Sequence, residues 1–259
     1  LETPTIQVKE LEDLIKTVVD EIFSSFGIRP NIGFELEFYL TRKNTYKKHK
    51  IKTEKGKGQY EIALPPSTDI LAALREVSDL QHELKAHADL SPKPNIHDYG
   101  SALQIHLSLQ QHGQNLFDAN SCNQNPYLRN YVSIVLSYIL EHCYYLLTPE
   151  CYTRFQAQFM APTNISWGIN NRTTLIRVIQ SQGESRRAEF RLPSANCCPY
   201  RQTFFLLQAL LLSLTNPPAE HALIAPVYGN AFDTQYNLPP LPKSSEEAEG
   251  YSNPRFFLL

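Results

Sequence analysis

Three common enzyme signatures are missing from this sequence. It has no GxxxxGK[ST] phosphate loop, no GxSxG elbow and no HExxH helix, so a P-loop ATPase, a serine hydrolase of that type and a zincin all lack their signals. Cysteine is sparse and odd in number. Cys122, Cys143, Cys151, Cys197 and Cys198 show neither CxxC nor Cys/His ligand spacing, which argues against a disulfide framework or a structural zinc and leaves free thiols as the expectation. No apolar run reaches membrane length: the longest, residues 204–214, is interrupted by Gln208. The N-terminus lacks the layout of a signal peptide, so a soluble, cytoplasmic protein is expected. The only methionine is Met160, so the chain does not begin with an initiator residue and a longer product stays open. A large net charge is absent as well. A formal charge of -2 offers no global attraction to nucleic acid or to an anionic membrane, so any anion binding has to be local.

What is present is a normal globular balance, 42% hydrophobic and 19% charged, with material for one large or two ordinary domains. The densest feature is residues 162–193. Arg172, Arg177, Arg186, Arg187 and Arg191 surround Glu189 there, and the pattern reads as three short strands. Arginine stays protonated and its planar fork matches carboxylate and phosphate oxygens, so both a site for negative charge and a salt-bridged sheet surface fit. A carboxylate among such cations is either neutralised by them or holds a metal.

The rest of the chain supplies further candidates. Apolar residues from Ile6 to Phe26 recur at helical spacing, with Gly27 as the stop. In NIGFELEFYL, alternation places Glu35 and Glu37 on one strand face and Phe34, Leu36 and Phe38 on the other. Two neighbouring carboxylates repel unless a cation lies beside them, so an exposed strand face and a metal site both remain readings. Residues 42–57 are basic, with eight Lys and Arg, and read as a solvated hairpin tip or loop, or as a phosphate or polyanion patch. Glu54 lies near the end of that stretch, and Glu61 follows on a strand. Residues 70–87, 127–147 and 199–214 read as helices, the last two buried. Between them a Pro- and Gly-bearing loop leads into ALQIHLSL, a strand whose polar face carries Gln104, His106 and Ser108. Residues 237–259 are Pro-rich and polar and read as a surface tail.

GFELEFYL, GQYEIALP, SPKPNIHDYGSALQIHLSL, PTNISWGINNRTTLIRVI, RRAEFRLP, NCCPY and LPPLPKSSEEA, taken in order over about residues 31–248, resemble the successive blocks of the glutamine synthetase catalytic domain. The resemblance implies an α+β fold, a curved antiparallel sheet backed by helices, making one catalytic domain of residues 1–259. It implies two divalent cations, Mg or Mn, and ATP as a substrate. By the same resemblance Glu37, Glu54 and Glu61 hold the first metal, and Glu35, Glu189 and the residue at Gln104 hold the second. Arg154, Arg172 and Arg191 act on the substrate carboxylate or the transferred phosphate. Arg177, Arg187, His106 and Ser108 face the nucleotide phosphates, and Gly100 forms the turn beside the substrate amino group. Hard cations need oxygen ligands, and a two-metal clamp serves phosphoryl transfer, which explains the repelling carboxylates.

The sequence departs from the family pattern in three places. Gln104 stands where the family has a histidine ligand, which implies a weaker second metal. Met160 stands where the closing loop carries a glutamate that binds and deprotonates ammonium. A thioether can do neither, and loss of a general base costs on the order of 10²–10⁴ in rate. The small N-terminal sheet domain is missing, and the segment between the ExE strand and Glu54 is short. The expectation is therefore an ATP-dependent carboxylate-amine ligase that activates glutamate or a similar acid, with an acceptor other than ammonia. The alternative is a pseudoenzyme with a binding or structural role. Small-molecule acid and amine partners are expected, nucleic acid and membrane are not, and a homo-oligomer stays open.

Overall fold

The computed structural model describes residues 6–41, 49–118, 121–181 and 183–253. Half of the basic residues within 42–57, those from 42 to 48, lie outside the described residues.

Nine strands form one mixed sheet among the described residues: β1 (Arg29–Leu40), β2 (Lys52–Thr53), β3 (Gln59–Ser67), β4 (Ala88–Asp89), β5 (Ala102–Gln111), β6 (Gln114–Asn115), β7 (Trp167–Ile169), β8 (Ile176–Ile179) and β9 (Arg187–Phe190). The main path runs β2-β3-β1-β5-β9-β8-β7, with β4 on β1 and β6 on β5. The helices are α1 (Val8–Phe26), α2 (Ile70–Leu84), α3 (Pro126–Leu146), α4 (Pro199–Thr215) and α5 (Ser245–Tyr251).

Side-chain alternation divides the sheet. Phe34, Leu36 and Phe38 of β1 and Leu103, Ile105 and Leu107 of β5 are buried in the core shared with α1 to α4. Residues of opposite parity on the same strands, Glu35, Glu37, Gln104 and His106, face the other way. The helices form as their local chemistry dictates. On α1, Leu11, Ile15, Val18 and Ile22 make one buried stripe at spacings of three and four. Burying each such side chain contributes roughly 1.5–3 kcal/mol. Gly27 ends the helix at φ 65°, donating its N–H to Phe23 O, a left-handed conformation that glycine takes without strain. Asp69 caps α2 by accepting the Ala72 N–H at 3.0 Å, and Asn125 caps α3 by accepting the Leu128 N–H at 2.9 Å.

Two details differ from the sequence reading. The sheet is not wholly antiparallel: β7 pairs with β8 in parallel through only residues 170–175, where parallel partners usually need a longer crossover. Asn170 accommodates the tight turn at φ 52°. Asn171 then ties the loop down, donating to Val227 O and Gly229 O while its Oδ1 accepts from Thr173. The polar C-terminal segment is also more than a surface tail. Leu241 and Ala248 are buried, the Leu241 N–H donates to Thr163 O, and α5 packs on α3.

Candidate active site

The polar sheet face carries two adjoining clefts. Register places Glu35 opposite Gln104, Glu37 opposite Glu61, and His106 opposite Glu189, which in turn faces Arg177. One cleft is lined by Glu37, Glu54, Gly100, Gln104, Arg154, Met160, Arg172 and Arg191, together with Lys55, Gln59, Tyr99, Phe159 and Ala161. The second is lined by Glu35, His106, Ser108 and Arg187 with Asn31, Gly33 and Ser185 among others. Thus β1, β3, β5 and the 149–161 loop bring most of the candidate residues to one face. Glu61, Arg177 and Glu189 line neither cleft and are held in ion pairs beside them.

The first cleft concentrates buried charge. Arg154 and Arg191 are 6% and 7% exposed, and burial pulls both guanidinium groups below their ordinary value; Glu37 opposes the shift for Arg154 and Glu189 for Arg191. Arg154 donates to Leu192 O at 2.9 Å and Arg191 O at 3.1 Å, tying the 149–154 turn to the end of β9. Burial pushes the Glu37 carboxyl up to about 7; Arg154 and Arg191 work against that shift, while Glu54 and Glu61 add to it. Gln104 Nε2 donates to Glu37 Oε1, and Gln59 Nε2 lies 3.2 Å from Oε2. Glu61 is also raised, first by burial and then by Glu35, against the pull of Lys52 at 3.2 Å.

The second cleft is more nearly balanced. Burial alone would raise Glu35, but His106, then Arg187 and Lys52, outweigh it and hold the carboxyl below its ordinary value. Arg187 Nε donates to His106 Nδ1 at 3.0 Å, which leaves the ring proton on Nε2. That nitrogen lies 3.2 Å from Glu35 Oε1, too poorly aligned for a hydrogen bond, and with Nδ1 accepting the ring is neutral, so the contact is dipolar.

The 149–161 loop brings Met160 to the first cleft. Met160 ends a short 3-10 turn at φ 57°, and its carbonyl accepts from Arg191 Nη2 at 3.3 Å. Phe159 beside it packs edge-on to Tyr99 with centroids 5.8 Å apart, and Lys93 Nζ sits 3.5 Å above the Phe159 ring. Sequence reasoning missed Gln59, Tyr99 and Phe159. Gln59 is 3% exposed; besides Glu37 it contacts Gly100 O at 3.0 Å and accepts the Gly56 N–H at 2.9 Å. The signal was available, since Gln59 shares strand parity with Glu61.

Among the described residues no group of three or more His, Cys, Asp or Glu side chains is arranged to hold a metal ion. The two expected donor sets differ in how they would receive one. Glu37 and Glu61 are oxygen donors whose charges repel each other and Glu54, so a hard cation would relieve that repulsion. The set at Glu189 does not fit: Arg177 Nη1 lies 2.9 Å from Oε2, Arg191 Nε lies 3.0 Å from Oε1, and Gln104 is bonded to Glu37.

The fold is thus a helix-backed mixed sheet with carboxylates and arginines gathered on its open face. The chain belongs to the glutamine synthetase family: the model described as glutamine synthetase, catalytic domain, matches residues 47–250. Gamma-glutamylputrescine synthetase PuuA of Escherichia coli (strain K12) is 30% identical over 211 residues, covering 77% of this chain and 44% of that protein. Glutamate--isopropylamine ligase of a Pseudomonas species is 29% identical over 209 residues, covering 76% and 45%. Glutamine synthetase of Pyrococcus abyssi (strain GE5 / Orsay) is 27% identical over 247 residues, covering 77% and 54%. The chain therefore spans about half the length of these curated relatives. A solved GmaS/ADP complex superposes with a TM-score of 0.76 at 19% identity, covering 93% of this chain and 67% of that one, and shows the shared fold. No helix among the described residues is long and apolar enough to cross a membrane.

Proposed function

We propose that this chain is an ATP- and divalent-cation-dependent carboxylate-amine ligase that activates glutamate or a similar acid as an acyl phosphate and joins it to an amine other than ammonia. The observation that carries the reading is the first cleft, where Arg154, Arg172 and Arg191 face Glu37 and Glu54 while Phe159 and Met160 form one wall. Such a cleft can neutralise a carboxylate and a transferring phosphoryl group, and its Met160 wall suits an alkyl chain better than ammonium. Two relatives whose names join glutamate to an amine, the putrescine and isopropylamine enzymes, support the acceptor class.

In the first step a carboxylate oxygen attacks the γ-phosphorus of ATP, the bond to the ADP oxygen breaks, and an acyl phosphate forms. Arg154 and Arg191 hold the acid, and Arg172 adds charge where the phosphoryl group moves. In the second step the amine nitrogen attacks the acyl carbon, the bond to the phosphate oxygen breaks, and nitrogen gives up its proton to the departing phosphate. Glu37, Glu54 and Glu61 would hold a Mg or Mn ion, which when bound supplies positive charge to the acid side of the cleft. Arg187, His106 and Ser108 serve the nucleotide phosphates from the second cleft, and Gly100 supplies the turn beside the acid.

Incubation with Mg-ATP, glutamate and hydroxylamine tests this. Phosphate release with hydroxamate formation is expected; no hydroxamate from any acid tried would sink it. The pairing of both Glu189 oxygens with arginines favours a second reading, a pseudoenzyme with a binding role. That reading predicts a folded protein that makes no hydroxamate and binds Mg-ATP weakly or not at all by calorimetry.

A further inference from the structure

We infer that this chain holds a single resident divalent cation and that Arg177 and Arg191 replace the second one at Glu189. The inference rests on the ligase reading above and concerns how that site is charged. Glu189 is 1% exposed and both its oxygens are taken: Arg177 Nη1 at 2.9 Å on Oε2 and Arg191 Nε at 3.0 Å on Oε1. A divalent ion at the same carboxylate would have to displace at least one guanidinium from its ion pair.

Arg191 is not free to yield. Its Nη1 also donates to Arg172 O and to Thr174 O at 3.2 Å, and its Nη2 to Met160 O at 3.3 Å, so four acceptors fix its plane. The other two ligand positions are diverted as well. Gln104 Nε2 donates to Glu37, and Glu35 Oε1 faces His106 Nε2 at 3.2 Å.

Charge accounting shows what the exchange achieves. Glu189 and Glu35 together with Arg177 and Arg191 sum to zero, two negative charges against two positive, so these carboxylates are neutralised within the protein. A divalent ion added to the same four groups would leave the site at a net charge of about +2. The arginines therefore neutralise the carboxylates without a resident metal, and any cation that arrives on ATP is part of the substrate.

Mn²⁺ titration without nucleotide, with free Mn²⁺ followed by its electron paramagnetic resonance signal, counts the ions. One ion per chain at saturation is expected. Two per chain would overturn the inference while leaving the ligase reading intact. No binding at all would remove the cation-dependent reading of the cleft and this inference with it. Glu61→Gln should weaken the single ion by about 10–100-fold or more, the scale of losses seen around metal sites, while Glu189→Gln should leave its affinity within about twofold. Loss of the ion in Glu189→Gln with retention in Glu61→Gln would place it at Glu189 and refute the proposal. Should the Glu189 variant fail to fold, the wild-type count decides by itself.

Discussion

Glu37 makes the stability of the metal-free protein depend on pH in a direction opposite to most carboxylates. Accessible surface leaves the residue half-buried, but protein atoms surround its carboxyl, and burial raises it from the ordinary 4.5 to about 7. The folded protein therefore binds more protons at this group than the unfolded chain does between those values. Its contribution is fully present below about pH 4.5 and is lost as pH rises through about 7. At about 1.4 kcal/mol per pH unit the full shift would amount to roughly 3 kcal/mol, and cleft water reduces this to about 1.5–3 kcal/mol. Glu37→Gln removes the titrating group while keeping the shape. Urea unfolding of both proteins from pH 4.5 to 8 should show the wild type losing about 1.5–3 kcal/mol relative to the variant, and Mn²⁺ at pH 8 should restore the wild type alone. Parallel pH profiles for the two proteins would refute the burial of this carboxyl as the cause.

Gly100→Ala would place a Cβ 2.5 Å from Pro92 O and 2.9 Å from Arg154 Cγ; Pro92 O also accepts the Ser101 N–H and cannot retreat, so a loss of about 1–3 kcal/mol in urea unfolding is expected. Asn171→Ala removes the contacts that hold the β7–β8 loop and should cost about 2–3 kcal/mol by thermal melting. Because Arg172 sits on that loop, the variant should also lower kcat in the hydroxamate assay. Met160→Glu restores a proton acceptor to the cleft wall and should raise glutamine formation from ammonia by about 10²-fold or more relative to an alkylamine, read by product chromatography.

Much of the sheet was legible because strand alternation is a local rule. Glu35 and Glu37 against Phe34, Leu36 and Phe38 are separated by parity alone, and the buried stripe of α1 by helical spacing. The parallel β7–β8 pair was not legible, because its short connection depends on Asn171 reaching Val227 and Gly229, far along the chain. The packing of α5 had a readable signal that composition obscured. In PKSSEEAEG, Ser244 Oγ accepts the Glu247 N–H at 3.2 Å and Glu247 Oε2 accepts the Lys243 N–H at 2.8 Å, close to a capping box. Within the site, residue types were legible and pairings were not. Nothing local says that Gln104 turns to Glu37, or that Glu189 is shared with Arg177 as well as with Arg191 two residues on; those cross-strand choices belong to neighbouring strands.

The loop at Met160 is secured through its main chain: the Met160 carbonyl takes a hydrogen bond from Arg191, its N–H bonds to Ala157 O, and its neighbour Phe159 is anchored by Tyr99 and Lys93. None of these contacts uses the thioether. On the proposed ligase reading, selection can therefore exchange the side chain at this one position, and with it the nucleophile that is admitted, while the loop stays docked. Diversification of acceptor preference is in this way uncoupled from the upkeep of the fold.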